Sequence, residues 1–108
     1  MTINCLGRVS VGTPGTPVPL SIDPTVHASK LFFQVIPGLT GKTYAGVPTM
    51  AKATLAGVFR ILWPNAAGGI SENFEIESQD GENSIRLMDY AIDADVAGEG
   101  LLVTYWTE

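Results

Sequence analysis

The sequence predicts an all-β domain folded as an antiparallel β-sandwich, and three observations lead there. Twelve Gly and seven Pro are spread along the 108 residues instead of pooling in one linker, which marks many short elements joined by turns. A hydrophobic fraction of 45% against a charged fraction of 16% describes a chain that folds around a core. Short segments of apolar-polar alternation recur between the turns. The length fits one domain, residues 1–108, without room for a separate substrate domain.

The elements follow in order. Residues 5–11 (CLGRVSV) and 18–22 (VPLSI) alternate as short strands around the turn GTPGTP at 12–17. Residues 30–36 (KLFFQVI) form a stronger strand, with Leu31, Phe33 and Val35 on one face and Phe32, Gln34 and Ile36 on the other. Both faces are largely apolar, so cover is expected on two sides. Pro37 and Gly38 end this strand, and a tight turn leads to a partner strand at 42–46. Residues 47–54 read as an irregular loop.

A second strong strand occupies 57–63 (GVFRILW), with Phe59, Ile61 and Trp63 opposing Val58, Arg60 and Leu62, and Pro64 stops it. NAAGG at 65–69 is loop. NFEIE at 73–77 alternates, with Phe74 and Ile76 inward and its acids outward; QDGEN at 79–83 is a turn. Residues 84–94 offer a helical spacing (Ile85, Met88, Ile92) and a strand alternation (Ile85, Leu87, then Tyr90, Ile92). Strand pieces are preferred, because a final strand at 101–107 (LLVTYWT) needs neighbours.

Charge and composition exclude several function classes. Eleven acidic against six basic residues give a net charge of −5, and the cations stand singly at Arg8, Lys30, Lys42, Lys52, Arg60 and Arg86. Nucleic-acid binding needs them clustered. One cysteine, Cys5, and one histidine, His27, form neither an internal disulfide nor a zinc cluster; Cys5 reads as a small buried or half-buried apolar residue. The sequence shows no signal-peptide pattern and no apolar run of membrane-spanning length. Synthesis in a cytoplasm as a soluble protein is the expectation.

Two motifs invite a sharper reading. Gly41, Lys42 and Thr43 spell the end of a phosphate-binding loop, but the first glycine of that motif would fall at Ile36. Such a loop must also open a helix, and TYAGVP after Lys42 is poor helix sequence. A turn is expected. DADVAGEG at 93–100 resembles the start of a calcium loop, with Asp93 and Asp95 at its first and third positions and Gly98 at the sixth. Ala97 and Thr104 stand where two further oxygen ligands belong, so a turn is again expected and no metal.

Other chemistry is sparse. His27 lies in a polar loop without a nucleophile partner. Glu75 and Glu77 share one face of a strand, as glycosidase carboxylates or as a solvated sheet face would, and the second is preferred. Trp63 and Trp106 suit packing before sugar stacking. No catalytic constellation and no cofactor site emerges.

Apolar side chains in excess of one sandwich core point to contact surfaces. Phe32 and Ile36 oppose Leu31, Phe33 and Val35, while Leu102 and Trp106 oppose Leu101, Val103 and Tyr105. Residues 1–6, with Ile3 and Leu6, lack an evident partner and read as an N-terminal arm into a neighbour. The contact candidates are therefore Ile3, Leu6, Phe32, Ile36, Leu102 and Trp106.

Taken whole, the stretches GRVSVGTPGTPVPL, KLFFQVIPGLTGKTYAG, MAKATLAGVFRIL and NSIRLMDYAIDADVAGEGLLVTY resemble small structural proteins of tailed bacteriophages, in particular capsid decoration (cement) proteins. The resemblance spans about residues 7–105, and its most telling pieces are the PGLTGKTYAG turn and the closing DADVAGEGLLVTY. It implies a β-sandwich or jelly-roll domain on the outer surface of the virion capsid. There it would bind the major capsid protein, commonly as a homotrimer, and hold neighbouring capsomers together. It implies no catalytic residues. Two other readings stay open: a phage tail or baseplate component of similar fold, and a small carbohydrate-binding β-sandwich, which would expose coplanar aromatic rings on one face.

Overall fold

In the computed structural model the described residues are 2–36, 39–64, 73–79 and 82–108. Ten strands run β1 (Thr2–Ser10), β2 (Val18–Pro19), β3 (His27–Ala28), β4 (Lys30–Val35), β5 (Thr43–Ala51), β6 (Ala56–Leu62), β7 (Asn73–Glu77), β8 (Ile85–Arg86), β9 (Ala91–Ala94) and β10 (Gly100–Thr107). One 3-10 turn, Leu87–Asp89, lies between β8 and β9. The protein is all-β.

Two four-stranded antiparallel sheets, β1-β10-β4-β7 and β2-β9-β5-β6, pack together as a sandwich, and β3 and β8 form a small third pair. Alternation along each strand sends every second side chain into the space between the sheets. From the first sheet come Leu31, Phe33, Val35, Leu101 and Val103, and from the second Ala45, Leu62, Ile92 and Ala94, all buried in one core. Val11, Leu20, Ala28, Ile85 and Leu87 close its ends. A fully buried side chain of the Leu or Phe class contributes roughly 1.5–3 kcal/mol, so this layer dominates stability.

Several expected elements hold. The alternation of β4, β7 and β10 is as read, and residues 84–94 are strand pieces around one 3-10 turn. Others are corrected. Strands β4 and β5 are not neighbours: β4 lies between β10 and β7, whereas β5 lies between β9 and β6. The connection around Gly41 therefore crosses between sheets and does not close a hairpin. Pro37 and Gly38 of that connection lie outside the described residues, as does the loop expected at 65–69.

Residues 47–51, expected as loop, continue β5. Its ladder with β6 is interrupted between Gly46 and Ala51, which is where a strand accommodates Pro48. A second shift at Phe59 splits the expected faces of β6: Val58 and Ile61 pack with Tyr44, Met50 and Ala91, while Leu62 enters the main core. The Phe59 ring turns to Phe74 and Tyr90, with centroids 5.6 and 5.8 Å away. Residues 18–22 keep only Val18–Pro19 as strand.

The N-terminal segment also differs from expectation. It has a partner within the chain, since Thr2, Ile3, Asn4 and Cys5 pair with Thr107, Trp106, Tyr105 and Thr104. A bulge between Cys5 and Gly7 restores the inward phase of Val9, and Gly7 supplies the left-handed backbone it needs (φ 73°).

Gly100 sets the spacing of this pair. A Cβ there would collide with the carbonyl oxygen of Val9 and lie 2.9 Å from the Cα of Ser10, both backbone atoms that cannot swing away. Gly100→Ala should cost about 3 kcal/mol in denaturant unfolding. Gly12→Ala, where a Cβ meets nothing within 4 Å, should stay within about 0.5 kcal/mol. Equal effects of the two substitutions would refute this account of the strand spacing.

Candidate binding face

The outer face of the sheet β1-β10-β4-β7 gathers most of the apolar candidates. Register fixes its rows. Ile3, Trp106, Lys30 and Glu77 lie side by side; Cys5, Thr104, Phe32 and Glu75 form the next row; Arg8, Leu102, Gln34 and Asn73 the third. Ile3, Phe32, Leu102 and Trp106 supply the apolar groups of these rows, and Arg8, Lys30, Glu75 and Glu77 their charges. Ile3 is 61% exposed and Leu102 37%.

Aromatic and charged groups organise the middle of the face. Phe32 and Trp106 meet edge to face, their ring centroids 6.4 Å apart at 89°. The Lys30 ammonium lies 5.2 Å from the centre of the Trp106 ring and 3.2 Å from Glu75 Oε1. Because both partners of the ion pair stay partly solvated, it contributes about 0.5 kcal/mol. Its larger effect is to hold Trp106 and Lys30 in one arrangement.

The structure thus brings Ile3, Phe32, Leu102 and Trp106 together on one face. Leu6 lies at the bulge of the edge strand β1, 38% exposed. Ile36 does not join them; it packs against the main core. Cys5 is exposed in the middle row, contrary to the buried or half-buried position expected from its side-chain type. Lys30 was not among the candidates, and only the register reveals its place between Trp106 and Glu77. Phe32 and Trp106 are perpendicular, so this pair makes no flat platform for a sugar. Trp63 lies beyond the end of β6 in the other sheet, with the Lys42 ammonium 5.0 Å from its ring centre.

The Gly-Lys-Thr turn already holds an anion of its own. The backbone N–H groups of Thr40 and Gly41 donate to the Glu99 carboxylate at 2.9 and 3.0 Å, and the Thr40 hydroxyl donates at 3.0 Å. Burial works to raise the Glu99 pKa, but these donors and the nearby Arg8 charge outweigh it and leave the carboxyl below its ordinary range. The chain after Lys42 continues as β5, not as a helix.

The two aspartates are likewise engaged. Asp93 is buried, and its Oδ1 accepts from the N–H of Gly15 at 3.1 Å and of Ala94 at 2.8 Å. Asp95 Oδ1 accepts from Tyr44 Oη at 3.0 Å and Lys52 Nζ at 3.1 Å. Burial again opposes ionisation of Asp95, yet Lys52 and Tyr44 prevail and lower its pKa; burial first and then Asp95 raise that of Tyr44. Among the described residues no three His, Cys, Asp or Glu side chains gather at metal-binding distance. His27 is exposed, its Nδ1 2.9 Å from the Thr25 carbonyl.

Calorimetry with ATP or GTP and magnesium should therefore show no saturable heat; micromolar binding abolished by Lys42→Ala would overturn the turn assignment. Melting curves with calcium and with chelator should coincide. A metal bound only by the folded state at a hundredfold excess over its dissociation constant would add about 2.7 kcal/mol, so a rise of several degrees in calcium would restore a metal role to Asp93 and Asp95.

Comparison of the chain with protein-family models, with curated proteins and with solved structures gives no match.

Proposed function

We propose that this chain is a non-enzymatic virion structural protein, a capsid decoration (cement) protein of a tailed bacteriophage. It binds the major capsid protein on the outer surface of the head and self-associates, as a trimer, to bridge neighbouring subunits. The observation that carries the reading is the outer face of β1-β10-β4-β7, where Ile3 and Leu102 stay exposed beside Phe32 and Trp106. Apolar groups that the register brings together on one sheet face fit a surface meant to be covered. The likeness of the sequence to decoration proteins gives the cover its identity.

Two further observations support it. In chain order the eight main strands number 1-8-3-6 in one sheet and 2-7-4-5 in the other, so the pairs 1-8, 2-7, 3-6 and 4-5 nest like one long rolled hairpin. That nesting supports a jelly-roll winding, an architecture used in viral capsid and lectin domains. The six cations are all engaged within the chain. Lys30, Lys52 and Arg86 form ion pairs. Lys42 and Arg60 lie over aromatic rings, and Arg8 donates to the Gly98 carbonyl. A net charge of −5 with its cations so employed suits a site away from packaged nucleic acid.

Light scattering at micromolar concentration should give a mass several times 11.4 kDa. Particles lacking the protein should release their contents at lower temperature or in milder osmotic shock than complete ones. Leu102→Lys and Ile3→Asp should each weaken particle binding about tenfold or more. As substitutions at exposed positions, they should leave unfolding within about 0.5 kcal/mol of the parent. A strict monomer that neither binds particles nor alters their stability would end the proposal.

A further inference from the structure

Three carboxylates of one short segment fasten three different connections at the same end of the sandwich. Asp93 holds the β1–β2 connection through the N–H of Gly15, and Asp95 holds Lys52 beyond β5. Glu99 holds the crossing between the sheets through Thr40 and Gly41. Backbone bonds tie the same parts together: Val11 N–H to the Glu99 carbonyl at 2.9 Å, Gly98 N–H to the Val11 carbonyl at 2.8 Å, and Asp95 N–H to the Lys42 carbonyl at 3.0 Å. The fit is close, since a Cβ on Gly41 would come within 2.8 Å of a Val96 methyl.

We propose that this end of the molecule is an acid-released clasp: protonation of Glu99 and Asp95 frees the connection at residues 39–42 and the Lys52 side chain beyond β5 while the two sheets stay paired. The inference is independent of the capsid reading and holds whatever the chain binds.

Chemistry at Glu99 carries the argument furthest. Its oxygens face only donors, two amides and a hydroxyl, so the ionised form satisfies all three. A protonated carboxyl turns one oxygen into a donor and removes the charge that strengthens the bonds from the two amides. At Asp95 the acceptor faces Lys52 and Tyr44, and loss of charge removes the ion pair. The charged and titratable groups facing the pair are Arg8 from β1, Lys42 just before β5, Tyr44 from β5, Lys52 beyond it, and Asp93 from β9. The cations all favour the ionised carboxyls.

The direction of the pH effect follows. Both carboxyls are held below their ordinary range, so their stabilisation is fully present above the unfolded-state value of about 4 and is lost as pH falls through the folded value. Backbone ladders in the two sheets contain no titratable partner. Other depressed carboxyls lie elsewhere: Asp89 pairs with Arg86 on the exposed 3-10 turn, and Asp23 bonds within its own turn to Thr25.

Amide hydrogen exchange across a pH series on the unaltered chain tests the clasp. Protection at Thr40, Gly41 and Asp95 should fall at a higher pH than protection at Phe33, Ala45 and Val103. Glu99→Gln should raise exchange at Thr40 and Gly41 about tenfold at neutral pH and remove most of their acid response, with the core amides unchanged. Simultaneous loss of protection at all these sites would overturn the proposal, as would an acid response at Thr40 and Gly41 that survives Glu99→Gln. Should that variant fold poorly, the pH series alone decides.

Discussion

The close approach of Gly100 to Val9 is the constraint on which the rest of the structure depends. Strand β10 lies between β1 and β4, so its position sets both ladders of the first sheet. With no side chain at Gly100, Val9 and Leu101 come level and both turn inward with Val35. A shift of one residue would reverse every face of the strand. Leu101 and Val103 would then be exposed, and Leu102 and Trp106 would enter the core. The identity of the outer face is therefore decided by the same contact that builds the inner one.

Much of this fold was legible in the sequence, for physical reasons that also explain the gaps. In KLFFQV and NFEIE the period of two is unbroken, and the structure uses it without correction. Periodicity fails wherever a bulge inserts a residue. Phe59 and Gly7 each reset the phase of their strand, and neither shift leaves a mark in hydropathy. Strand pairing was harder still. Nearness in sequence favoured a hairpin between β4 and β5, but the connection is a crossing that Glu99, from a distant part of the chain, holds in place. Of the candidate face, Phe32, Leu102 and Trp106 followed from alternation alone. The exposure of Cys5 and the place of Lys30 needed the register, which no local pattern contains. Ile36 had the right parity but lies past the end of β4, where the chain turns and parity no longer decides direction.

The two motifs that resembled ligand sites share an explanation. Backbone N–H groups in a tight turn and carboxylates in an Asp-Gly-rich segment are the chemical components of anion and cation sites. Here the two meet each other: the turn amides bond Glu99, and the carboxylates of 93–99 accept from amides, a phenol and an ammonium of neighbouring connections, with only Asp93 Oδ2 left buried without a partner among these three carboxylates. Exposed turn groups left unpaired would be solvated at little loss. Groups this close to the core need internal partners, and opposite-sign components brought together supply them.

The sandwich is unequal in how it treats its two outer faces. On the second sheet, Tyr44, Ala91 and Asp93 point away from the core yet are buried, because Met50 packs with Tyr44 and Ala91, and Gly15 reaches Asp93 from the β1–β2 connection. The middle of that face is closed by the chain itself. On the first sheet the corresponding positions, Ile3, Cys5 and Leu102, remain exposed, and only Phe32 and Trp106 shelter one another. A solitary domain with nothing to bind gains by covering both faces or making both polar. The chain covers the middle of one and leaves on the other Ile3, Phe32, Leu102 and Trp106 beside Arg8, Lys30, Glu75 and Glu77, the mixture of apolar and charged groups that protein interfaces adopt. Under the proposed function the first sheet is the contact face, and Leu102, on the inner strand β10, lies nearer its middle than Glu75 and Glu77 on the edge strand β7.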